Sequence, residues 1–334
     1  MQQLTQAQQI STSMSPRAPT FTVVVPTFRR TEQLIDCLRA LAAQELVPSQ
    51  VIVVVRDIDA QTKDALAALD ETLVEIVFVT RGGQTHALNS ALKYATGEIV
   101  AFTDDDAIPK PEWLEQLAAE YADPAVGGVG GKVIVPLQTA AGSSTRRKVG
   151  SVSVFGRPHG NHHLGDGDVR DVQWLKGVNM SYRRELCWFD ESLRGAGAQV
   201  ANDSEIALRI RDAGWRIVYS PVAAVDHHAG PRFDADSRNT RSITAMRDAV
   251  FNETLVLLRW LPPGSRRRTF AFLLLVGVPR GAGPLGATKA VLTRRRSPVE
   301  AFVNCKQATA ARLEARREWR ATRDQRNETP SAPR

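Results

Sequence analysis

Between Phe21 and Thr103 the chain alternates four short apolar runs with three helix-patterned segments. The runs are Phe21–Val25, Val51–Val55, Glu75–Val79 and Ile99–Thr103. Runs of this kind suit strands buried on both faces, the usual state of a parallel sheet. The segments between them are Thr31–Ala43, Thr62–Leu69 and Thr85–Tyr94. In the first, Leu34, Ile35, Leu38, Leu41 and Ala42 recur at helical spacing, and Thr31 stands where a cap would. Gly97 stands where a C-cap would end the third. This β-α-β-α-β-α-β order predicts an α/β fold with a doubly wound, mostly parallel sheet. Ligands of such sheets sit beyond the carboxyl ends of the strands. That edge holds Pro26–Arg30, Arg56–Asp59, Thr80–Gln84 and Asp104–Asp106.

Beyond it the pattern predicts a helix over Pro111–Ala122 and strands over Val126–Val135 and Val149–Phe155. Arg157–Asp171, rich in Gly, His and Asp, reads as a long loop, and Val172–Tyr182 resumes ordered structure. A helix over Asp203–Ala213 ends at Gly214, and short strands follow at Arg216–Tyr219 and Ala223–Val225. From Asn239 onward the chain reads as helical. Met1–Pro19 is Gln- and Ser-rich without an apolar stretch, which suits a disordered tail and not a signal peptide.

Composition narrows the class. The 334 residues are 43% hydrophobic and 24% charged, which excludes collagen, low-complexity disorder and a disulfide-stapled scaffold. Cys37, Cys187 and Cys305 form no C-x-x-C, favouring a reducing, cytoplasmic setting over a zinc ribbon. No apolar run reaches the roughly 18–20 residues of a spanning helix. The net charge of +7 is uneven: residues 259–326 hold 16 Lys and Arg against 4 Asp and Glu. Within Asn239–Arg326, Ala249–Leu258 is mostly apolar between Arg247 and Arg259, and Phe270–Val278 is apolar after Arg266–Arg268, with Arg294–Arg296 further on. Apolar faces beside basic clusters suit an anionic membrane surface, peripheral at its inner face. The alternative is a helical pack on the main domain. Aromatic residues do not interleave with the basic ones, which argues against nucleic acid. Ala311–Asp324 alternates charges and reads as an exposed helix.

The chemistry concentrates at Asp104-Asp105-Asp106, directly after a buried strand. Adjacent carboxylates disfavour one another's ionised form, and a divalent cation removes that cost. A solvated acidic turn is the alternative. His159, His162 and His163 have no cysteine or ordered spacing that would make a zinc site. Trp174 and Trp188 are candidates for stacking on a sugar ring, or for burial.

Five segments together resemble the family 2 glycosyltransferases. They are Phe21–Arg30, Ala95–Asp106 with Pro109–Leu114 after it, Gly177–Arg184, Phe189–Glu191, and Asn202–Glu205. The third matches G-x-N-x-x-x-R, and Asp104 and Asp106 match the two acids of D-x-D. The resemblance covers about residues 20–230 and implies a GT-A type domain. Its nucleotide-binding half would span 20–108 and its acceptor half 109–230, with a basic helical region at 231–334. It implies Mg²⁺ or Mn²⁺ on Asp106, completed by His227, and a UDP-, GDP- or dTDP-sugar donor. Pro26, Thr27, Arg29, Asp57, Asp59, Asn89, Asp104 and Asp105 would contact the nucleotide sugar. Arg56 stands where the family usually carries an acid, which leaves the nucleotide base open. Asp203 would be the general base, with Glu205 as the fallback and a helix N-cap as the plainer role. Trp174, Asn179 and Glu205 would face the acceptor, a lipid-linked or polysaccharide hydroxyl. The resemblance implies inversion and cell-surface glycan assembly.

Three other classes bear on the same residues. A haloacid dehalogenase-type phosphotransferase would want its Asp-x-Asp after the first strand, and Thr or Val where Ile108 stands. A nucleotidyltransferase would want a glycine-rich loop at Pro26–Arg30. An inactive scaffold is left open by Arg56 and Asn202, and retention of Asp104, Asp106 and Asp203 speaks against it.

Overall fold

Successive side chains of a strand point to opposite faces, so a run apolar at every position needs a cover on each side. The computed structural model, which describes residues 17–69, 74–135, 148–230, 233 and 242–328, supplies both covers. The first half runs β1 (Phe21–Thr27), α1 (Thr31–Ala42), β2 (Gln50–Arg56), α2 (Ala60–Ala67), β3 (Val74–Val79), α3 (Gln84–Leu92) and β4 (Ile99–Phe102). Then come β5 (Ala107–Pro109), α4 (Trp113–Glu120), β6 (Val126–Ile134), β7 (Ser151–Val152), β8 (Pro158–His159), β9 (Arg170–Asp171) and β10 (Met180–Arg183). The chain continues with α5 (Asn202–Asp212), β11 (Arg216–His227), α6 (Ile243–Trp260), α7 (Pro263–Leu275), α8 (Pro284–Leu292) and α9 (Pro298–Glu328).

The main sheet has the order β3-β2-β1-β4-β10-β6-β11-β5, with β9 paired to β11. Strands β3, β2, β1 and β4 are parallel, β10 is antiparallel to both its neighbours, and β11 lies parallel to β6. Val23, Val25, Val51, Val53 and Val55 pack on one face with Leu34 and Leu38 of α1, Leu66 of α2 and Trp113 of α4. Val24, Ile52 and Val54 pack on the other with Leu88 of α3 and Ile206 of α5. The expected doubly wound, mostly parallel sheet is what forms.

Several local expectations are corrected. Thr31 does not cap α1: the capping position is Arg30, with no side-chain cap, and the Thr31 hydroxyl meets that of Thr62 at 3.0 Å. Gly97 lies beyond the end of α3, and its role is close approach. A Cβ there would stand 2.4 Å from the Thr22 amide nitrogen. Val149–Phe155 is strand only at Ser151–Val152, paired with β8, so the following loop also contains β8 and β9. The two short strands expected after Gly214 are one strand, β11. Of the expected tail, residues 1–16 lie outside the described residues, as do 239–241 at the start of the helical region.

The helical region is not a set of free amphipathic faces. The apolar run of α6 is buried: Val250, Phe251 and Leu255 pack on Ala308, Ala311 and Ala315 of α9, and Val256 packs on Ala201 and Leu208 beside α5. Ala311–Asp324 is therefore not exposed throughout, because Ala311, Arg312 and Ala315 are buried. Ser297 and Glu300 cap α9 reciprocally, at 3.2 and 3.1 Å.

One close approach shapes the far edge of the sheet. The pairing of β11 with β6 shifts between Ser220 and Val225, and Pro221 falls in that shift. Beyond it, Val225, Asp226 and His227 pair antiparallel with Pro109, Ile108 and Ala107 of β5. Gly131 faces the shift, and a Cβ there would lie 1.8 Å from the Ala223 carbonyl oxygen. Gly131→Ala is therefore expected to destabilise the fold by about 1–3 kcal/mol, the usual cost of overpacking. Urea unfolding checks this, and an unchanged midpoint would refute the close approach.

Candidate active site

The carboxyl ends of β1, β2, β3 and β4 open onto a cleft of about 880 Å³, counting the space open to solvent at its mouth. Pro26, Thr27, Phe28 and Arg30 form one wall, Val54, Arg56, Val79 and Gly83 another, and Asp104 and Asp106 the floor. Gly197 and Ala198 close it from the second half of the chain. That closure is built by Gln199, whose Oε1 accepts from the Thr85 amide and hydroxyl, both at 2.9 Å, while its Nε2 donates to the Leu193 carbonyl. Gly83 has φ +117°, and a Cβ on it would meet Gln199 Oε1 at 2.9 Å. The Arg56 guanidinium lies over the Phe28 ring, 4.7 Å from its centroid.

The acidic triplet divides its work. Arg30 sits opposite it, with Nη2 2.6 Å from Asp105 Oδ1 and Nη1 2.6 Å from Asp106 Oδ2. The Gly230 amide also donates to Asp106 Oδ2, at 2.8 Å. This leaves Asp106 Oδ1, which faces His227 Nε2 at 3.2 Å with no hydrogen bond to either atom. Asp104, Asp106 and His227 each offer one ligand atom within 4.8 Å of the others, and no second such group exists among the described residues. Two buried atoms facing one point, with the Asp104 carboxylate beside them, fit a hard divalent cation.

Electrostatics follow the same division. Burial pushes Asp105 up to about 7, against the pull of Arg30. Burial opposes ionisation of Asp106 too, but His227, Arg30 and the Gly230 amide outweigh it and hold that carboxyl at about 2. Burial and the neighbouring Asp106 raise Asp104. The group that pairs with His227 is thus ionised at neutral pH.

Asp203 lies in the first turn of α5 and is not its cap, which is Ala201 in the left-handed region at φ +77°. Its carboxylate is half-buried, and the hydrogen bonds it accepts are from Ser204 of the same turn. Asp203 Cβ lies 3.9 Å from where a Gly177 Cβ would stand.

Other expected site residues are placed elsewhere. Asp59 is buried and occupied: it accepts from the Arg29 amide at 2.6 Å and from Thr62 nitrogen and hydroxyl, capping α2. It cannot also face a base. Asp57 is exposed and Arg29 is exposed at φ +58°, neither lining the cleft. Asn89 spends both amide atoms on the Phe189 backbone and on Glu191. Asn179 is fully buried, accepting from Trp113 Nε1 and donating to the Lys132 and Ala223 carbonyls, so it ties strands together and faces no acceptor. Trp174 is buried edge-on to His162, 4.9 Å between centroids, which removes it from any open sugar platform. Trp188 is exposed, with the Arg209 guanidinium 3.9 Å from its ring centroid. His162 is a core residue whose burial pulls it down to about 3. Arg30 and Gln199 were not singled out by sequence: nothing in the pattern around Gln199 distinguishes it, while Arg30 is a cation placed opposite three acids.

Glu205 is also corrected. It is 1% exposed, accepts from Trp260 Nε1 at 3.2 Å and lies 3.7 Å from Arg209 Nε, held between α5 and α6.

Compared with known proteins, residues 16–245 match the family model described as glycosyltransferase like family 2. The O-antigen biosynthesis protein RfbC of Myxococcus xanthus is 26% identical over 238 residues, 66% of this chain but 18% of that protein. The glucosyl-dolichyl phosphate glucuronosyltransferase of Haloferax volcanii is 26% identical over 219 residues, 61% of this chain and 68% of that one. The chain thus spans about a fifth of the first relative and two thirds of the second. Among solved structures, the mannosyltransferase PcManGT of Pyrobaculum calidifontis with GDP-Man and Mn²⁺ superposes with TM-score 0.53 and 24% identity, covering 89% of this chain and 87% of its own. S. aureus TarS 1-349 superposes with TM-score 0.57 and 17% identity, over 92% and 91%.

Glu205 supplies a test of the local electrostatics. Burial pushes its carboxyl from 4.5 up to about 7, against Arg209. The folded state then binds the proton more tightly than the unfolded one. Stability is full below the unfolded value and declines as pH rises through the folded one. Between about pH 5 and about pH 8, Glu205→Gln should gain about 2–3 kcal/mol relative to the unsubstituted protein in urea melts. A gap that does not move with pH would mean that Glu205 folds as a carboxylate. With the sheet, the cleft and the family match in agreement, the chain belongs to the glycosyltransferase family 2-like proteins and has their GT-A fold.

Proposed function

We propose that this protein is a metal-dependent, inverting glycosyltransferase that moves a sugar from a nucleotide-diphosphate sugar to a hydroxyl acceptor in cell-surface glycan assembly. The observation that carries the reading is the Asp104, Asp106 and His227 cluster on the floor of the cleft. Family membership and the donors named for solved relatives, GDP-Man and UDP-GlcNAc, support a nucleotide sugar.

Asp104, Asp106 and His227 would hold Mg²⁺ or Mn²⁺. A bound ion of this kind neutralises the charge that develops on a departing diphosphate. Arg30 keeps Asp106 oriented by occupying Oδ2, so that Oδ1 stays directed at the cluster. Thr27 and the Pro26–Phe28 wall bound the nucleotide, and Arg56 over Phe28 offers N–H donors to a base in place of an acid. Asp203, free of long-range hydrogen bonds, takes the proton of the acceptor hydroxyl as its oxygen attacks the anomeric carbon.

Calorimetry with UDP-, GDP- and dTDP-sugars should show binding of one nucleotide class in Mn²⁺ that EDTA abolishes. Asp106→Asn should lose that metal dependence. Asp203→Asn should keep donor binding and lose transfer by about 10²–10⁴-fold. Metal-independent binding would refute the cluster's role, and full transfer by Asp203→Asn would refute the base.

We also infer peripheral association with an anionic bilayer, at the inner face of the plasma membrane. No helix among the described residues is long and apolar enough to cross a membrane. The face in question is carried by α8 and the start of α9, not by the buried run of α6. Leu285, Leu292, Val299 and Phe302 are exposed there, Leu292 at 79% and Phe302 at 69%. Lys289, Arg295 and Arg296 line a basin between α7 and α8 beside them. Exposed apolar side chains among cations suit shallow insertion between anionic headgroups. The paired substitutions Leu292→Glu and Phe302→Glu should abolish co-sedimentation with phosphatidylglycerol vesicles. Sedimentation equal to the unsubstituted protein would refute this face.

A further inference from the structure

A second cavity lies between α6, α7 and the β7–β8 hairpin, with the first turn of α5 at one end. It measures about 510 Å³, counting its open mouth. Its walls are mostly apolar: Trp174, Val256, Leu257, Leu273 and Val278. Arg312, from α9, breaks that pattern. The residue is 1% exposed and lines the cavity. Its Nη2 donates to the Gly281 carbonyl, while Nε and Nη1 have no hydrogen-bond partner. Burial pulls the guanidinium down to about 10, against Glu253, which leaves it charged at neutral pH.

The surroundings do not neutralise that charge. Glu253 is on the same wall, but its Oε1 accepts from Arg280 Nη1 at 3.2 Å. Among the described residues no ion pair within 4 Å joins Arg312 to that carboxylate. The hydroxyl of Thr254 donates to the Val250 carbonyl, and that of Ser204 lies 3.3 Å from the Ala201 carbonyl. A buried cation with unmade N–H bonds is costly and demands an acceptor. Water meets such a demand where several polar partners converge, and an apolar wall offers few.

We propose that this cavity binds an amphiphilic anion, with its phosphate or carboxylate on Arg312 and its apolar chain along Trp174, Leu257, Leu273 and Val278. Ala201 and Ser204, which line the cavity, flank Asp203 in sequence. The occupant therefore ends at the turn that carries the candidate base. The ligand class rests on the cavity alone and stands whether or not Asp203 is the base.

The probe is n-octyl phosphate, kept below its micelle-forming concentration and titrated calorimetrically into the full chain. It should bind at least about tenfold more tightly than inorganic phosphate, which lacks the chain, and than octanol, which lacks the charge. Arg312→Gln should weaken octyl phosphate by about tenfold or more while leaving donor binding in the cleft unchanged. Val152→Trp, which fills the cavity from the hairpin and leaves Arg312 in place, should do the same and serves where the arginine variant does not fold. Absence of binding to the unsubstituted protein overturns the proposal and leaves water as the partner of Arg312. Affinity no better than that of phosphate or octanol, or affinity unchanged in both variants, overturns it as well.

Discussion

Three carboxylates in consecutive positions at a strand end cannot all be left to repel one another. At an effective dielectric near 20, two like charges about 4 Å apart cost about 4 kcal/mol. Arg30 meets that cost from just beyond the carboxyl end of the neighbouring parallel strand β1. Its planar fork reaches both oxygens of Asp105 and one of Asp106, a geometry a lysine point charge would not reproduce. The result is asymmetric. Asp105 is consumed by the clamp and buried behind it, while Asp104 and one oxygen of Asp106 stay turned to the cleft. The clamp thus sorts chemically identical neighbours into one clamped, buried acid and two that face the cleft.

His227 reaches this cluster from far along the chain, and its arrival depends on backbone shape. Strand β11 begins beside β6 and, after the shift at Ser220 to Val225, continues beside β5. That continuation sets His227 opposite Ala107, one residue past Asp106, and the His228 amide donates to the Asp106 carbonyl at 2.9 Å. The shift is possible because Gly131 lets the Ala223 carbonyl come within what would otherwise be bonding distance of a side chain. A missing side chain on β6 is therefore part of how the histidine reaches the acids. The same economy operates at Gly97, where β4 starts against β1.

These facts explain what the sequence shows and what it hides. Strands β1, β2 and β4 are legible because both their faces are buried, so hydrophobicity alone marks them. The triplet is legible because it follows such a strand on the ligand edge. Asp59, Asn89, Asn179 and Glu205 are misleading for one shared reason. A carboxylate or carboxamide that satisfies other groups of the fold is the same residue type as one that binds a ligand, and only its partners tell them apart. Asp59 has three donors already, and Asn179 uses both ends of its amide. The register shift in β11 leaves only Pro221 as a trace, and Gln199 leaves none, because the contact that closes the cleft is with Thr85, more than a hundred positions earlier.

The C-terminal helices show the limit of reading charge against hydrophobicity. The runs Ala249–Leu258 and Phe270–Val278 carry basic flanks alike, yet α6 is largely interior and the apolar side chains left exposed are mostly on α8 and early α9. What separates them is the partner helix. Ala308, Ala311 and Ala315 give α9 a strip of small side chains, close enough for Val250, Phe251 and Leu255 of α6 to pack on it. A helix that devotes one strip to alanine has its long basic residues on the remaining faces. Several of them cover neighbouring rings: Arg316 lies 4.9 Å from the Phe270 centroid and Arg323 5.3 Å from that of Trp319. Arg312 is the exception, turned inward beside that strip. A cation placed there has an internal role to fill, whereas Arg294 and Arg295 are exposed to whatever lies outside.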